Sequence, residues 1–263
     1  MSQSTDTPGI RILREGDITT LILDNPRRKN AINTTMARAF LQAIQQVTED
    51  DSRVVILTGA GADFCAGADL DPGTLQGGFD VTHFLRTHYN PAVLAMRASD
   101  KPFIAQVRGS CVGVGFNFAL ACDLILASET ATFSQIFTRI GLSSDGGGAY
   151  FMPERLGYHK AYELMVNNTT LPAAEALRLG LVNHVLADDQ LDEAVQRQAM
   201  ALAQGPYIAI QRTKANIRTG ITGTLAEALD QEAVSQGTSM ATHDFMEGVM
   251  AFIQKRKPVY KGK

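Results

Sequence analysis

The sequence has no tryptophan, and it has only three cysteines and five histidines among its 263 residues. Cys65, Cys111 and Cys122 lack the paired spacing of a metal-binding motif, and the histidines form no HExxH pair. We therefore expect neither a metal site nor a disulfide framework. A sparse, odd number of cysteines fits free thiols in a reducing compartment, which favours the cytoplasm.

The sequence also carries little net charge and no long hydrophobic run. Its formal charge is −3 at pH 7, so strong attraction to nucleic acid or to membranes is not expected. No apolar run approaches the roughly 20 residues that cross a bilayer. The first ten residues, MSQSTDTPGI, are polar and lack the apolar segment of a signal peptide. We expect a cytoplasmic protein that binds neither nucleic acid nor membrane.

Short apolar segments alternate with amphipathic ones along the first part of the chain. Strands are predicted at 10–13, 19–23, 53–58, 103–107 and 123–127. A helix is predicted after Thr34, its proposed cap, with the apolar face Met36, Phe40, Ile44 and Val47. Strands that alternate with helices indicate an α/β topology with right-handed crossovers.

Beyond about residue 155 the pattern becomes mostly helical. One helix is predicted before that point, at 80–98. After it, helices are predicted at 158–166, 172–179, 190–204, 207–218, 223–240 and 243–254. The chain therefore divides into a flexible leader at 1–9, an α/β core at 10–200 and a helical C-terminal region at 201–263.

Two glycine-rich loops, 59–69 and 109–117, directly follow predicted strands. Glycine at such a place lets a ligand approach the backbone closely. Neither loop is a GxGxxG dinucleotide motif, because Phe64 and Phe118 occupy the third glycine position, and the phosphate-binding GxxxxGK[ST] motif is absent. From these residues alone, two ligand-binding loops and two tight turns both remain possible.

A third loop, 141–148, contains Asp145 in front of three glycines and a predicted helix. Asp145 can be the cap of that helix, or it can be a carboxylate beside a cavity, and the pattern does not decide between them. The loop differs from the hydrolase motif GxSxG at one position, because Asp145 replaces the second glycine. A nucleophilic Ser143 is therefore not expected.

These loops resemble successive signatures of the crotonase (enoyl-CoA hydratase/isomerase) superfamily. The resemblance runs in order over roughly residues 10–262 through LTGAGADFCAGADL, KPFIAQVRGSCVGVGFNFALACDLILAS, TFSQIF, IGLSSDGGGAYFMPERLG and EGVMAFIQKRKPVYKG. It implies a spiral of ββα units with a helical trimerisation region, and hence a trimer or a dimer of trimers. It also implies an acyl-CoA thioester as substrate, with coenzyme A entering as part of that substrate and no separate cofactor.

Site residues follow from the same resemblance, position by position. The backbone N–H groups of Ala68 and Val114 correspond to the oxyanion hole that holds the thioester oxygen. The other positions implied to bind substrate are Arg28, Lys29, Ala31, Ala66, Asp69, Leu70, Gly113, Asn117 and Phe137. Two basic clusters, 27–29 and 255–257, are expected to meet the coenzyme A phosphates, the second from a neighbouring subunit.

The chain departs from the family pattern where hydratases carry two glutamates, because those positions fall on Asn117 and Phe137. Neither side chain can act as a general base. Asp145 falls where some members place a lone catalytic carboxylate, and the run around it most resembles the epoxyphenylacetyl-CoA isomerase branch. The resemblance therefore favours an acyl-CoA isomerase with Asp145 as the catalytic residue, in an apolar pocket that raises the pKa of its carboxylate.

Three alternatives stay open. Asp145 can activate water in a hydratase, or the chain can be a non-catalytic acyl-CoA binder or scaffold. A dehalogenase-like member would use the aspartate as a nucleophile. That branch relies on a tryptophan, and its absence here argues against it.

Overall fold

The computed structural model describes residues 3–7, 9–70 and 78–263. Its strands are β1 (Gln3–Thr7), β2 (Ile10–Glu15), β3 (Ile18–Leu23), β4 (Val54–Gly59), β5 (Phe103–Val107), β6 (Ser110–Val112), β7 (Leu124–Ser128), β8 (Thr132–Ser134), β9 (Thr170–Pro172) and β10 (His184–Leu186). The five strands predicted from the sequence all form, within two residues of their predicted ends.

A seven-stranded sheet in the order β1-β2-β3-β4-β5-β7-β10 forms the centre of the molecule. The first three strands pair antiparallel, and the strands from β3 to β10 pair parallel. All five residues of β5 are buried, as expected for a parallel strand that is covered on both faces. A second sheet, β6-β8-β9, lies beside the carboxyl ends of β4 and β5 through the loops that follow them.

The helices are α1 (Thr34–Glu49), α2 (Val81–Phe84), α3 (Asn90–Ala98), α4 (Val114–Ala121), α5 (Gly148–Leu156), α6 (Tyr158–Val166), α7 (Ala173–Arg178), α8 (Leu191–Ala203), α9 (Tyr207–Thr222), α10 (Leu225–Met240) and α11 (His243–Ile253). A π-helical turn, Leu85–Tyr89, joins α2 to α3. The predicted apolar face of α1 is confirmed, because its four residues are all buried. Its cap is Asn33, whose side chain accepts from the Met36 N–H, and not Thr34.

The α/β fold class predicted from the sequence is confirmed by this architecture. The N-terminal segment differs from the flexible leader that we predicted at 1–9, because Gln3–Thr7 forms an edge strand against β2. An antiparallel pair needs only backbone donors and acceptors, so a polar segment can form it without an apolar pattern. Gly9, at φ +81, turns the chain between the two strands.

The C-terminal helices α9 to α11 expose many apolar side chains. Among those with more than a third of their surface exposed are Ile217, Ile221, Leu225, Leu229, Val234, Met246 and Phe252. None of the helices in the described ranges is long and apolar enough to span a membrane.

Candidate active site

The two glycine-rich loops after β4 and β5 run side by side. The Cys65 N–H donates to the Ser110 carbonyl at 2.8 Å, and the Val112 N–H donates to the Cys65 carbonyl at 2.9 Å. These bonds form an isolated parallel bridge between Cys65 and Cys111. Since parallel strands keep their register, the bridge aligns Gly67 with Gly113 and brings Ala68 level with Val114.

Glycine is required where these loops touch. Gly67 has φ +98, and a Cβ there would lie 3.2 Å from the Val112 carbonyl oxygen and 3.9 Å from the Gly113 Cα. Gly113, at φ +56, ends its own loop directly before α4 begins. Both positions need a left-handed backbone that other residues adopt only with strain. The glycine pattern in the sequence thus reflects close packing of the two loops.

The backbone N–H groups of Ala68 and Val114 are free to bind a ligand. Neither donates a hydrogen bond to any residue within the described ranges. Val114 is the first residue of α4, where a helix leaves its N–H groups without intrahelical partners. Two such donors on adjacent loops, one of them at the positive end of a helix, suit an oxygen atom that carries negative charge.

Asp145 lies at the turn before α5, and its side chain does not cap that helix. The N-cap residue is Gly147, and it is the backbone carbonyl of Asp145 that accepts from the Gly148 N–H at 3.1 Å. The Asp145 Oδ1 atom is buried and has no hydrogen-bond partner in the described part of the chain. The cap interpretation is therefore wrong, because no side chain accepts a hydrogen bond at the start of α5. Desolvation by burial raises the pKa of Asp145 from 3.8 to about 6.

Close contacts hold the Asp145 turn against the first turn of α4. Gly146, at φ +56, lies so close that a Cβ there would be 2.9 Å from Val114 Cγ2. A Cβ on Gly148 would lie 2.8 Å from the amide of Asn117. The glycines that follow Asp145 thus bring the backbone of its turn against the first turn of α4, the helix end that presents the Val114 N–H.

The two positions that depart from the family pattern, Asn117 and Phe137, have different structural roles. Asn117 is fully buried, and its Nδ2 donates to the backbone carbonyl of Asp145 at 2.7 Å. This bond holds the Asp145 turn against α4. Phe137 is also buried, and its ring is 3.7 Å from where a Cβ on Gly113 would stand. It supplies an apolar wall beside the Gly113 loop.

Several of the predicted binding residues interact where the basic turn at 27–29 contacts the first glycine-rich loop. The Arg28 guanidinium pairs with the Asp69 carboxylate, and Lys29 Nζ lies 3.6 Å from Asp63 Oδ1. The Lys29 carbonyl accepts from the Ala66 N–H at 2.9 Å, which ties the basic turn to the glycine loop. The other two predicted binding residues here differ in exposure: Ala31 is buried, and Leu70 is 46% exposed.

The second basic cluster lies elsewhere, just beyond the end of α11. There the Arg256 guanidinium binds both carboxylate oxygens of Glu247, at 2.6 and 2.8 Å. This pair holds the pKa of Glu247 low, at about 2, chiefly through the Arg256 hydrogen bond. Within one chain, Arg256 is therefore engaged locally.

Two residues that the sequence analysis missed belong to this region. Gln135 is buried, and its Nε2 donates to Asn117 Oδ1 at 2.5 Å. Tyr89, also buried, ends the π-helical turn and packs edge-on against Phe118 of α4 at 5.5 Å between ring centroids. Burial raises the pKa of Tyr89, and the charge of Asp145 raises it further. Irregular π-helical turns often lie at functional sites, but the sequence carries no signal for the one at 85–89.

The family model for enoyl-CoA hydratase/isomerase matches residues 14–263, nearly the whole chain. The chain belongs to the enoyl-CoA hydratase/isomerase family. The resemblance to the crotonase superfamily is thus confirmed, and the chain is an enzyme of this family. The acyl-CoA thioester is the substrate expected for it.

Relatives of known name cover almost the full length of the chain. A "probable enoyl-CoA hydratase" of Rhodobacter capsulatus is 35% identical over 243 residues, 92% of this chain and 94% of that protein. The 1,2-epoxyphenylacetyl-CoA isomerase of Escherichia coli is 34% identical over 257 residues, 95% and 97% of the two chains. The crystal structure of an enoyl-CoA hydratase from Bacillus anthracis has a TM-score of 0.90 at 30% identity, covering 97% of this chain and all of that one. These similarities confirm the crotonase-like fold. The relatives are named as hydratase and as isomerase, so the names do not separate the two activities.

Proposed function

We propose that the protein is an acyl-CoA isomerase that moves a proton within its substrate through a thioester enolate. The observation that carries this proposal is the Asp145 carboxylate, whose Oδ1 is buried and unpaired among the described residues, together with the two unpaired backbone donors of Ala68 and Val114. With Asn117 and Phe137 at the customary glutamate positions, Asp145 is the one candidate base among the predicted catalytic positions. A single carboxylate is enough because the proton leaves one carbon and returns to another.

The proposed reaction consists of two proton transfers. The Asp145 carboxylate takes a proton from a carbon of the acyl chain, and the electron pair moves toward the thioester carbonyl, whose oxygen becomes an enolate. The N–H groups of Ala68 and Val114 stabilise that oxygen. The neutral Asp145 carboxylic acid then returns the proton to a different carbon, the enolate collapses, and the enzyme regains its starting state.

The pKa of Asp145 suits both steps. A base whose pKa lies near the working pH can accept a proton and release it again without a large barrier in either direction. At about 6, the pKa leaves most Asp145 side chains ionised at pH 7 and makes the carboxylate a stronger base than an ordinary aspartate. The physical cause of this raised pKa is burial, which disfavours the charged form of the carboxylate.

The coenzyme A part of the substrate would lie along the two loops, with its phosphates near Arg28 and Lys29. Their partners Asp69 and Asp63 would hold these cations in place before the ligand arrives. We propose that Lys255 and Lys257 reach the ligand of a neighbouring subunit. The proposed reaction needs no cofactor beyond the coenzyme A of its substrate.

We further propose a trimer or a dimer of trimers, assembled through the apolar surface of α9 to α11. The exposed Leu225, Leu229 and Phe252 would be covered in such an interface. Light scattering should give a mass of three or six chains, and a stable monomer at working concentration would refute the assembly. The three buried, reduced cysteines support a cytoplasmic location.

A hydratase that uses Asp145 to activate water is the second candidate. Two buried acceptors, Asp145 Oδ1 and Gln135 Oε1, have no donor in the described part of the chain, and a water could supply one. Relatives named as hydratases support the same possibility.

Product analysis separates the two candidates. The purified enzyme is incubated with a panel of 2-enoyl-CoA and 3-enoyl-CoA thioesters, both straight-chain and ring-bearing, and the products are identified by mass and NMR. An isomerase yields a product of unchanged mass with a moved double bond or rearranged acyl group. A product that gains the mass of one water supports the hydratase, and no turnover of any thioester, with binding retained, supports a non-catalytic binder.

A further inference from the structure

The end of strand β8 contacts both halves of the site. The Ser134 carbonyl accepts from the Gly113 N–H at 2.9 Å, directly before the Val114 donor. On the next residue, Gln135 Nε2 donates to Asn117 Oδ1 at 2.5 Å, and Asn117 Nδ2 donates to the Asp145 carbonyl at 2.7 Å. Two successive residues thus connect the oxyanion loop to the turn that carries the base.

Burying the side-chain amides of Gln135 and Asn117 removes them from water, which carries a free-energy cost. Gln135 is 2% exposed and Asn117 is fully buried, and Gln135 Oε1 has no partner within the described ranges. An unpaired buried polar atom destabilises the folded state, whereas an apolar side chain of similar size would avoid that cost. Packing alone therefore does not account for a glutamine at this position.

The bond from Asn117 fixes the turn at the point where position matters most. Without it, the Asp145 carbonyl would keep the 3.1 Å bond from the Gly148 N–H and the 3.4 Å bond from Ser144 Oγ, and both of these donors lie within the same turn. Among the described residues, no other hydrogen bond would then tie the Asp145 turn to α4. A catalytic group misplaced by about 1 Å can lose on the order of 100-fold in rate.

We propose that Gln135 is a positioning residue, which orients Asn117 and through it holds the Asp145 carboxylate at a fixed distance from the Val114 N–H. Gln135 does not touch the substrate in this arrangement. The Asp145 carbonyl can only accept, so Asn117 turns Nδ2 toward it, and Gln135 Nε2 holds this orientation by donating to Asn117 Oδ1. This inference rests on the proposed role of Asp145 and adds the residue that keeps that role possible.

The test is a double-mutant cycle with Gln135→Met and Asn117→Leu, assayed on the best substrate from the thioester panel. Methionine is unbranched and close to glutamine in volume, so it removes the amide with little change in packing. We expect Gln135→Met to lower kcat by about 10–100-fold while KM changes less than about threefold. Because Gln135 acts through Asn117, adding Gln135→Met to Asn117→Leu should lower kcat by less than about twofold more.

The matched control is Gln106→Met. Gln106 is also a buried glutamine whose Nε2 donates to a side chain, here Asp192 on α8, away from the site. It should lower the melting temperature without changing kcat. If Gln135→Met does not fold, Gln135→Ala takes its place in the same cycle.

Each outcome bears on a different claim. A wild-type kcat for Gln135→Met, or losses that simply multiply in the double variant, would refute the positioning role while leaving Asp145 as the base. Equal losses of kcat in the Gln135 and Gln106 variants would show that both act through stability alone. If Asp145→Asn itself keeps full activity, the proposed function fails, whatever the cycle gives.

Discussion

Replacing Asp145 by asparagine removes the proposed base while keeping the shape of the side chain. We expect kcat to fall by about 10²–10⁴-fold, the usual contribution of a general base. Binding of the thioester should change little, because the carboxylate contributes to proton transfer and the backbone donors at Ala68 and Val114 remain. Steady-state turnover and calorimetric titration of a thioester product measure the two effects separately.

The same substitution has a predictable effect on stability. Burial raises the folded-state pKa of Asp145 from 3.8 to about 6. The folded state then binds more protons than the unfolded state between these values, so the aspartate destabilises the fold progressively as pH rises from about 4 to about 6. A shift of this size corresponds to at most about 3 kcal/mol above pH 6.

Asp145→Asn should therefore raise the melting temperature at pH 7.5 and leave it nearly unchanged at pH 4. Thermal unfolding at both pH values, followed by circular dichroism, gives the comparison. A variant that is less stable than the wild type at pH 7.5, or that keeps near-normal turnover, would refute the account of Asp145 as a desolvated base. The residue would then be a structural part of the turn.

Three further predictions follow from the same site. The kcat of the wild type should fall as pH drops through about 6, because protonated Asp145 cannot accept a proton, and a pH profile without an acid limb in that range would count against it. Val114→Pro should lower kcat by about 10²–10³-fold by removing one oxyanion donor, whereas Val114→Ala, which keeps the N–H, should lose far less. Proline is tolerated at the first position of a helix, so folding should survive, as circular dichroism can verify. Charge removal at Arg28, Lys29, Lys255 and Lys257 should weaken coenzyme A binding by about tenfold or more and reduce its salt dependence in calorimetric titrations; unchanged affinity would refute the phosphate assignment.

The sequence predicted those parts of the fold whose physics is local. Period-3.6 apolar patterns set the helices, and glycines after buried strands marked the two loops that pair at Cys65 and Cys111. The edge strand at Gln3–Thr7 was not predicted, because backbone pairing of a polar segment leaves no apolar pattern to read.

The site was only partly predictable for a related reason. Asp145 stood out by its glycine neighbours, but whether its side chain capped α5 depended on where the backbone turned. Its carbonyl takes the local bonds and its carboxylate stays unpaired. The role of Asn117 depends on Gln135, which is 18 residues away in sequence, and no spacing rule links those two positions.

Proton exchange in deuterated water tests the central claim most directly. The enzyme is mixed with a 3-enoyl-CoA or another thioester that it turns over, and NMR follows deuterium entry at the α and γ carbons of the acyl chain. We expect the wild type to exchange these protons while forming the isomer, and Asp145→Asn to do neither although it still binds the thioester. Equal exchange in the wild type and in Asp145→Asn would contradict the assignment of Asp145 as the base that moves the proton.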